Sequence, residues 1–116
     1  MFGGCWQNTH RTVYAVAIVA ETRFGPEVQQ YLEHIDETLR PYGGKFLIHG
    51  GPYHRVEGIW SSDLIVIEFA DMASALGWYN SPQYQKIKPL RTNNMTGAVF
   101  LVEGVPDDHR AIDILR

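Results

Sequence analysis

Cysteine is all but missing from this 116-residue chain, where Cys5 stands alone. A single thiol leaves no internal disulfide framework and fits a reducing compartment. Long apolar runs are missing too: none approaches the ~18 residues that a membrane-spanning helix needs. The first residues lack the basic start and apolar stretch of a secretory signal, so a cytoplasmic location with no membrane contact is expected. Positive charge is scarce. Ten Lys and Arg against thirteen Asp and Glu give a net charge of −3, and the densest basic cluster, Lys86, Lys88 and Arg91, is small. Nucleic-acid surfaces present basic stripes, so the balance argues against such a partner. No Gly-rich phosphate loop follows a strand, because Gly43-Gly44 follows a helical pattern and reads as its C-cap. No Gly-x-Ser-x-Gly nucleophile turn occurs. Of the five histidines, His49 and His54 flank a glycine bend with no third ligand nearby, whereas catalytic zinc takes three protein ligands. No metal and no cofactor is expected.

What is present is an ordinary globular composition, 45% apolar and 20% charged, enough for one packed domain. Residues 1–11 show no periodicity and read as an arm. Residues 12–21 carry Val13, Tyr14, Val16, Ile18 and Val19, a strand signature. After Pro26, residues 27–40 place Val28, Tyr31, Leu32, Ile35 and Leu39 on one helical face, stopped by Pro41 and Gly43-Gly44. Residues 45–59 read as a strand interrupted at Gly50-Gly51-Pro52, and residues 64–69 as its hairpin partner. Asp71 is a helix N-cap, and Ser81-Pro82 starts a second helical piece that Pro89 is expected to break or kink. Residues 98–103 form a last strand, and residues 105–116 a tail. The order β-α-β-β-α-β predicts an α+β, ferredoxin-like domain over residues 12–104, with a four-stranded antiparallel sheet whose first and third strands are central.

Two helices cover only one face of such a sheet, and the other should turn polar if it meets water. Here even the poorer parity offers Val13 and Val19, Leu64 and Val66, Val99 and Leu101. At ~1.5–3 kcal/mol per side chain buried, six such residues amount to ~9–18 kcal/mol, an upper bound that rivals a whole domain's stability of ~5–15 kcal/mol. A second copy is the simplest cover. Two sheets face to face give a homodimeric α/β barrel with the helices outside. The competing cover is the arm or the tail folded across the face.

Tyr42-Gly43-Gly44-Lys45-Phe46, Gly50-Gly51, Glu57-Gly58-Ile59-Trp60, Val66-Ile67-Glu68-Phe69, Trp78-Tyr79-Asn80-Ser81-Pro82-Gln83-Tyr84-Gln85, Leu90-Arg91 and Val102-Glu103-Gly104 occur in order along the chain. This series resembles the family catalogued as domain of unknown function 1330, a branch of the dimeric α/β-barrel superfamily. The resemblance implies the fold and the dimer. Other branches of that superfamily include small monooxygenases, muconolactone isomerases and haem-degrading enzymes. Two positions depart from the family pattern: relatives often hold arginine at position 49, and their helix usually continues where Pro89 stands.

The candidate chemistry divides into two groups. Glu68 and Glu103 each end an apolar strand, and a carboxylate in a dry site is a candidate acid or base; the plainer role is an ion pair with Arg11. Tyr79, Ser81, Tyr84 and Arg91 read as a pocket wall, with Arg91 gripping a carboxylate-bearing ligand. The plainer roles are a cap for Ser81 and core packing for the tyrosines. A cavity between sheet and helices, lined by Tyr14, Phe46, Trp78, Tyr79 and Phe100, would hold a small organic molecule. By analogy with the superfamily, cofactor-free isomerisation or oxygenation would use Glu57, Glu68 or His49 as proton carriers and Arg91 as anchor. The other function class is a non-catalytic structural or regulatory dimer.

Overall fold

Four runs rich in valine, isoleucine and phenylalanine set the sheet. A computed structural model describes residues 11–115. In it β1 (Val13–Thr22), β2 (Lys45–His49), β3 (Asp63–Phe69) and β4 (Met95–Glu103) pair antiparallel in the order β2-β3-β1-β4. The most apolar strands, β1 and β3, are central, as expected for the ferredoxin-like arrangement. Residues 1–10, with Cys5 and His10 and nearly all of the arm expected over residues 1–11, lie outside the described residues.

One face is covered by α1 (Pro26–Leu39), α2 (Met72–Tyr79) and α3 (Pro82–Thr92). Pro26 opens α1 at its first turn, where the lost N–H has no intrahelical partner. Its buried stripe is Val28, Tyr31, Ile35 and Leu39. A 3₁₀ turn, Arg40–Tyr42, follows, and Gly43 ends it in the left-handed conformation at φ 70°. Asp71 accepts from the Ser74 N–H at 2.8 Å to cap α2, and Ser81 accepts from the Tyr84 N–H at 3.2 Å to cap α3. Between these elements Trp78 packs 5.5 Å from the Phe69 ring and 4.3 Å from Tyr84 (centroid distances), and its Nε1–H donates to Thr38 Oγ1 at 2.9 Å.

The structure corrects three expectations. First, α3 is not broken at Pro89 but runs through it to Thr92. Pro89 removes one helical donor, and the turn beyond it is held from outside. The Asn94 amide donates to Leu90 O and to Glu27 Oε1, both at 2.8 Å, while the Arg23 guanidinium donates to Asn93 O at 2.7 Å. Second, the strand expected over residues 45–59 ends at His49. Gly50 takes φ 78°, which an extended strand cannot hold, and Pro52 has no N–H to donate. Residues 50–62 form a long connection moored by Tyr53, whose hydroxyl accepts the Leu64 N–H at 2.8 Å.

Third, the two faces of β1 and β4 are exchanged relative to the sequence reading. Val13, Ala15, Ala17 and Val19 lie under the helices, with Leu101 and Val99 beside them. The open face carries Tyr14, Val16 and Ile18 next to Phe100 and Val102, with Leu64, Val66 and Glu68 on the other side. Leu64 and Val66 are thus where they were expected; Val13, Val19, Val99 and Leu101 are not. Size explains the exchange, because the small side chains of β1 make room for Tyr31, Trp78 and Tyr84 above them. The open face is consequently more apolar than expected, and Phe100 and Val102 are each 43% exposed. The tail does not bury its own apolar side chains, since Ile114 and Leu115 in the 3₁₀ turn Ala111–Leu115 are exposed.

Candidate functional site

Ala15 and Ala17 reach only one carbon above the sheet. Over them, between β1 and the helices, opens a cavity of about 370 Å³. Val28, Tyr31, Leu32 and Ile35 of α1 form one wall, and Trp78, Tyr84 and Arg91 another. The lining is largely apolar, as small-molecule sites are.

Two polar groups reach it. From the helices come Arg91, Tyr84 and Tyr31. Arg91 Nε–H donates to the Tyr84 hydroxyl at 3.2 Å, and the Tyr84 and Tyr31 hydroxyls share a hydrogen bond of 2.7 Å. Both tyrosines are buried and Arg91 is half-buried. Among the described residues, no carboxylate forms an ion pair with Arg91. Burial pushes the Tyr31 phenol far above the usual range, helped by the neighbouring Tyr84 oxygen, so it stays a neutral hydroxyl. For Arg91 burial pulls the pKa down, and the oxygens of Tyr84 and Tyr31 outweigh that pull, so the guanidinium stays charged.

From the sheet come His49 and Asp63. His49 pairs with Ile65, and Asp63 lies two residues earlier on β3, so both project from the helix-covered face as diagonal neighbours. The imidazole stacks on Phe46 with centroids 4.7 Å apart, and Asp63 Oδ1 accepts from the Tyr53 hydroxyl at 3.4 Å.

Of the residues singled out in the sequence, His49, Phe46, Trp78, Tyr84 and Arg91 line the cavity. Ser81 is buried as the α3 cap, and its hydroxyl also donates to Trp78 O at 2.7 Å. Tyr79 packs beside Trp78 and under Lys88, whose Nζ stands 5.3 Å from its ring centroid. Tyr14 and Phe100 lie on the open face of the sheet, away from the cavity. Glu68 shares that open face and pairs with Lys45 at 3.6 Å. Glu103 sits opposite Val13 on the other parity and pairs with Arg11 at 3.9 Å. Glu57 is exposed in the connection at residues 50–62. Sequence reasoning missed Tyr31 and Asp63. A tyrosine inside an otherwise aliphatic helical stripe was the available signal, because its hydroxyl must find a partner once buried. Among the described residues no three His, Cys, Asp or Glu side chains gather as a metal site requires, and no helix is long and apolar enough to cross a membrane.

A family model described as "Domain of unknown function (DUF1330)" matches residues 12–105. No curated protein matches the chain. Among solved structures, a protein of unknown function from Rhodopseudomonas palustris superimposes with a TM-score of 0.63 at 11% identity, covering 91% of this chain and 95% of its own. A dimeric ferredoxin-like protein of unknown function from Jannaschia sp. CCS1 gives 0.60 at 15% identity, covering 82% and 99%. A hydroxynitrile lyase from Passiflora edulis gives 0.59 at 12% identity, covering 87% and 99%. Likeness at such identities is one of fold, and it carries no chemistry from one chain to another.

Proposed function

The chain belongs to the DUF1330 family, and from that premise we propose that it is a homodimer that binds a small, apolar-bodied carboxylic acid between its sheet and its helices. Arg91 carries this reading. A half-buried guanidinium with no carboxylate beside it among the described residues stands at the wall of a largely apolar cavity. Burying a charge is costly until an opposite charge and good hydrogen bonds meet it. A ligand carboxylate supplies both, in the planar geometry that guanidinium matches. The cavity, about 370 Å³, falls within the range of small-molecule sites.

Dimerisation through the open sheet face is the assembly half of the proposal. Val16, Ile18, Leu64, Val66, Phe100 and Val102 make that face apolar across the three strands β3, β1 and β4. The Jannaschia protein of like fold, described as dimeric, supports it. Where chemistry follows binding, His49 and Asp63 are the proton carriers at hand.

The test is thermal unfolding and fluorescence titration with a panel of aryl and alkyl acids, led by 2-naphthoate, with the methyl ester as the uncharged control. A ligand at 100 times its dissociation constant stabilises the folded state by ~2.7 kcal/mol, which is easily seen. The acid is expected to bind, the ester to bind far more weakly, and Arg91→Ala to abolish the difference. A panel in which no acid binds more tightly than its ester rejects the reading in favour of a non-catalytic dimer.

A further inference from the structure

Two hydroxyls joined by one hydrogen bond leave one hydrogen over. The Tyr31 and Tyr84 oxygens stand 2.7 Å apart, and each phenol has a single O–H. Whichever donates to the other, the second hydroxyl hydrogen has no acceptor among the described residues. Arg91 cannot take it, because a guanidinium only donates. Both tyrosines line the cavity, so the spare hydrogen is available to a ligand there.

Arg91 decides which phenol holds it. The guanidinium donates to the Tyr84 oxygen at 3.2 Å and draws electron density from it, making Tyr84 the better donor of the pair. The chain of bonds then runs from Arg91 Nε–H to Tyr84, from Tyr84 O–H to Tyr31, and from Tyr31 O–H into the cavity.

We propose that Tyr31 is the second anchor of the bound acid, donating its hydroxyl hydrogen to one carboxylate oxygen while Arg91 holds the other. The proposal rests on the ligand reading above and deepens it, giving the head group two fixed contacts from two different helices. It also gives the site a neutral donor beside a charged one, which suits a planar two-oxygen anion.

The experiment titrates 2-naphthoate into the full-length chain and its variants by fluorescence. Tyr31→Phe keeps the ring and its packing and removes one O–H. Its affinity is expected to fall about tenfold or more, the loss of one hydrogen bond to a charged acceptor. Tyr84→Phe leaves the Tyr31 hydrogen in place and is expected to weaken binding by only about threefold, through lost polarisation. The opposite ranking, or an unchanged affinity in Tyr31→Phe, overturns the assignment. Failure of the wild-type chain to bind any acid of the panel more tightly than its ester overturns the ligand reading as well; binding lost in Arg91→Ala but intact in Tyr31→Phe overturns only the role of Tyr31. A second measurement needs no substitution: in protein labelled with ¹³Cζ-tyrosine, the Tyr31 resonance is expected to move at saturating 2-naphthoate. A Tyr31 resonance that stays in place counts against the proposal even if Tyr31→Phe does not fold.

Discussion

Replacing Ala17 by leucine probes the cavity, the orientation of β1 and the ligand reading in one step. Ala17 pairs with Ile65 and Val99 and lines the cavity under the helices. Leucine adds three carbons to that floor. At about 0.8 kcal/mol per buried CH₂, filling empty space stabilises the fold by at most about 2.4 kcal/mol. Overpacking normally costs about 1–3 kcal/mol, but that cost arises where neighbours must move. A space of about 370 Å³ has room for the added carbons. The same carbons exclude a ligand body from the floor. Urea unfolding of Ala17→Leu is therefore expected to show a higher midpoint at unchanged slope, with 2-naphthoate affinity lost. A variant that unfolds more easily and still binds 2-naphthoate would refute the reasoning, because Ala17 would then be packed tightly somewhere other than the binding cavity.

Thr38→Val removes the oxygen that accepts from Trp78 Nε1 at 2.9 Å and leaves that buried N–H unpaired. A loss of about 1–3 kcal/mol is expected from urea denaturation, and a loss below 0.5 kcal/mol (roughly the level of a neutral surface change) would mean that Trp78 finds another acceptor. Phe100→Glu sets a charge on the open sheet face. Light scattering should then drop from twice the 13.2 kDa chain mass to the mass of one chain, with the helical circular dichroism retained; an unchanged mass would place the interface elsewhere. Stability above pH 10 carries the mark of Tyr31. Burial raises its phenol, so the folded chain keeps a proton that the unfolded chain, with a phenol near about 10, gives up. The unfolded state then binds fewer protons, and stability falls as pH rises there, by up to about 1.4 kcal/mol per pH unit. Tyr31→Phe should flatten that decline in urea titrations at pH 9 to 11; identical slopes would contradict it.

Strand order and helix positions are legible in the sequence because local chemistry and global layout agree on them. β1 and β3 are apolar at both parities, so they belong in the centre, and Asp71 and Ser81 cap helices wherever those helices pack. The same double apolarity hides which side of β1 meets the helices. With no polar parity to mark the wet side, side-chain volume decides, and volume has meaning only against a partner. Tyr53, Val56, Ile59 and Trp60 read as strand formers, yet Gly50 and Pro52 break the ladder before they can join it. Pro89 follows the local rule for stopping a helix, and contacts from Arg23 and Asn94, distant in sequence from one another, override it. At the site, Arg91 and Tyr84 announce themselves as polar groups in an amphipathic stretch. Tyr31 is concealed by doing the work of a leucine, and Asp63 by lying just ahead of the strand expected over residues 64–69.

Alternation along β1 separates two properties that many proteins must adjust together. Ala15 and Ala17 point one way and set the depth of the cavity; Val16 and Ile18 point the other way, toward the proposed twin. Under the proposed function, methyl groups can be traded at 15 or 17 to suit another ligand while the contact at 16 and 18 stays as it was. Only a slip of one residue in strand pairing would disturb both at once, and the bulge between Val19 and Glu21, which re-sets the pairing with β4, lies beyond that stretch.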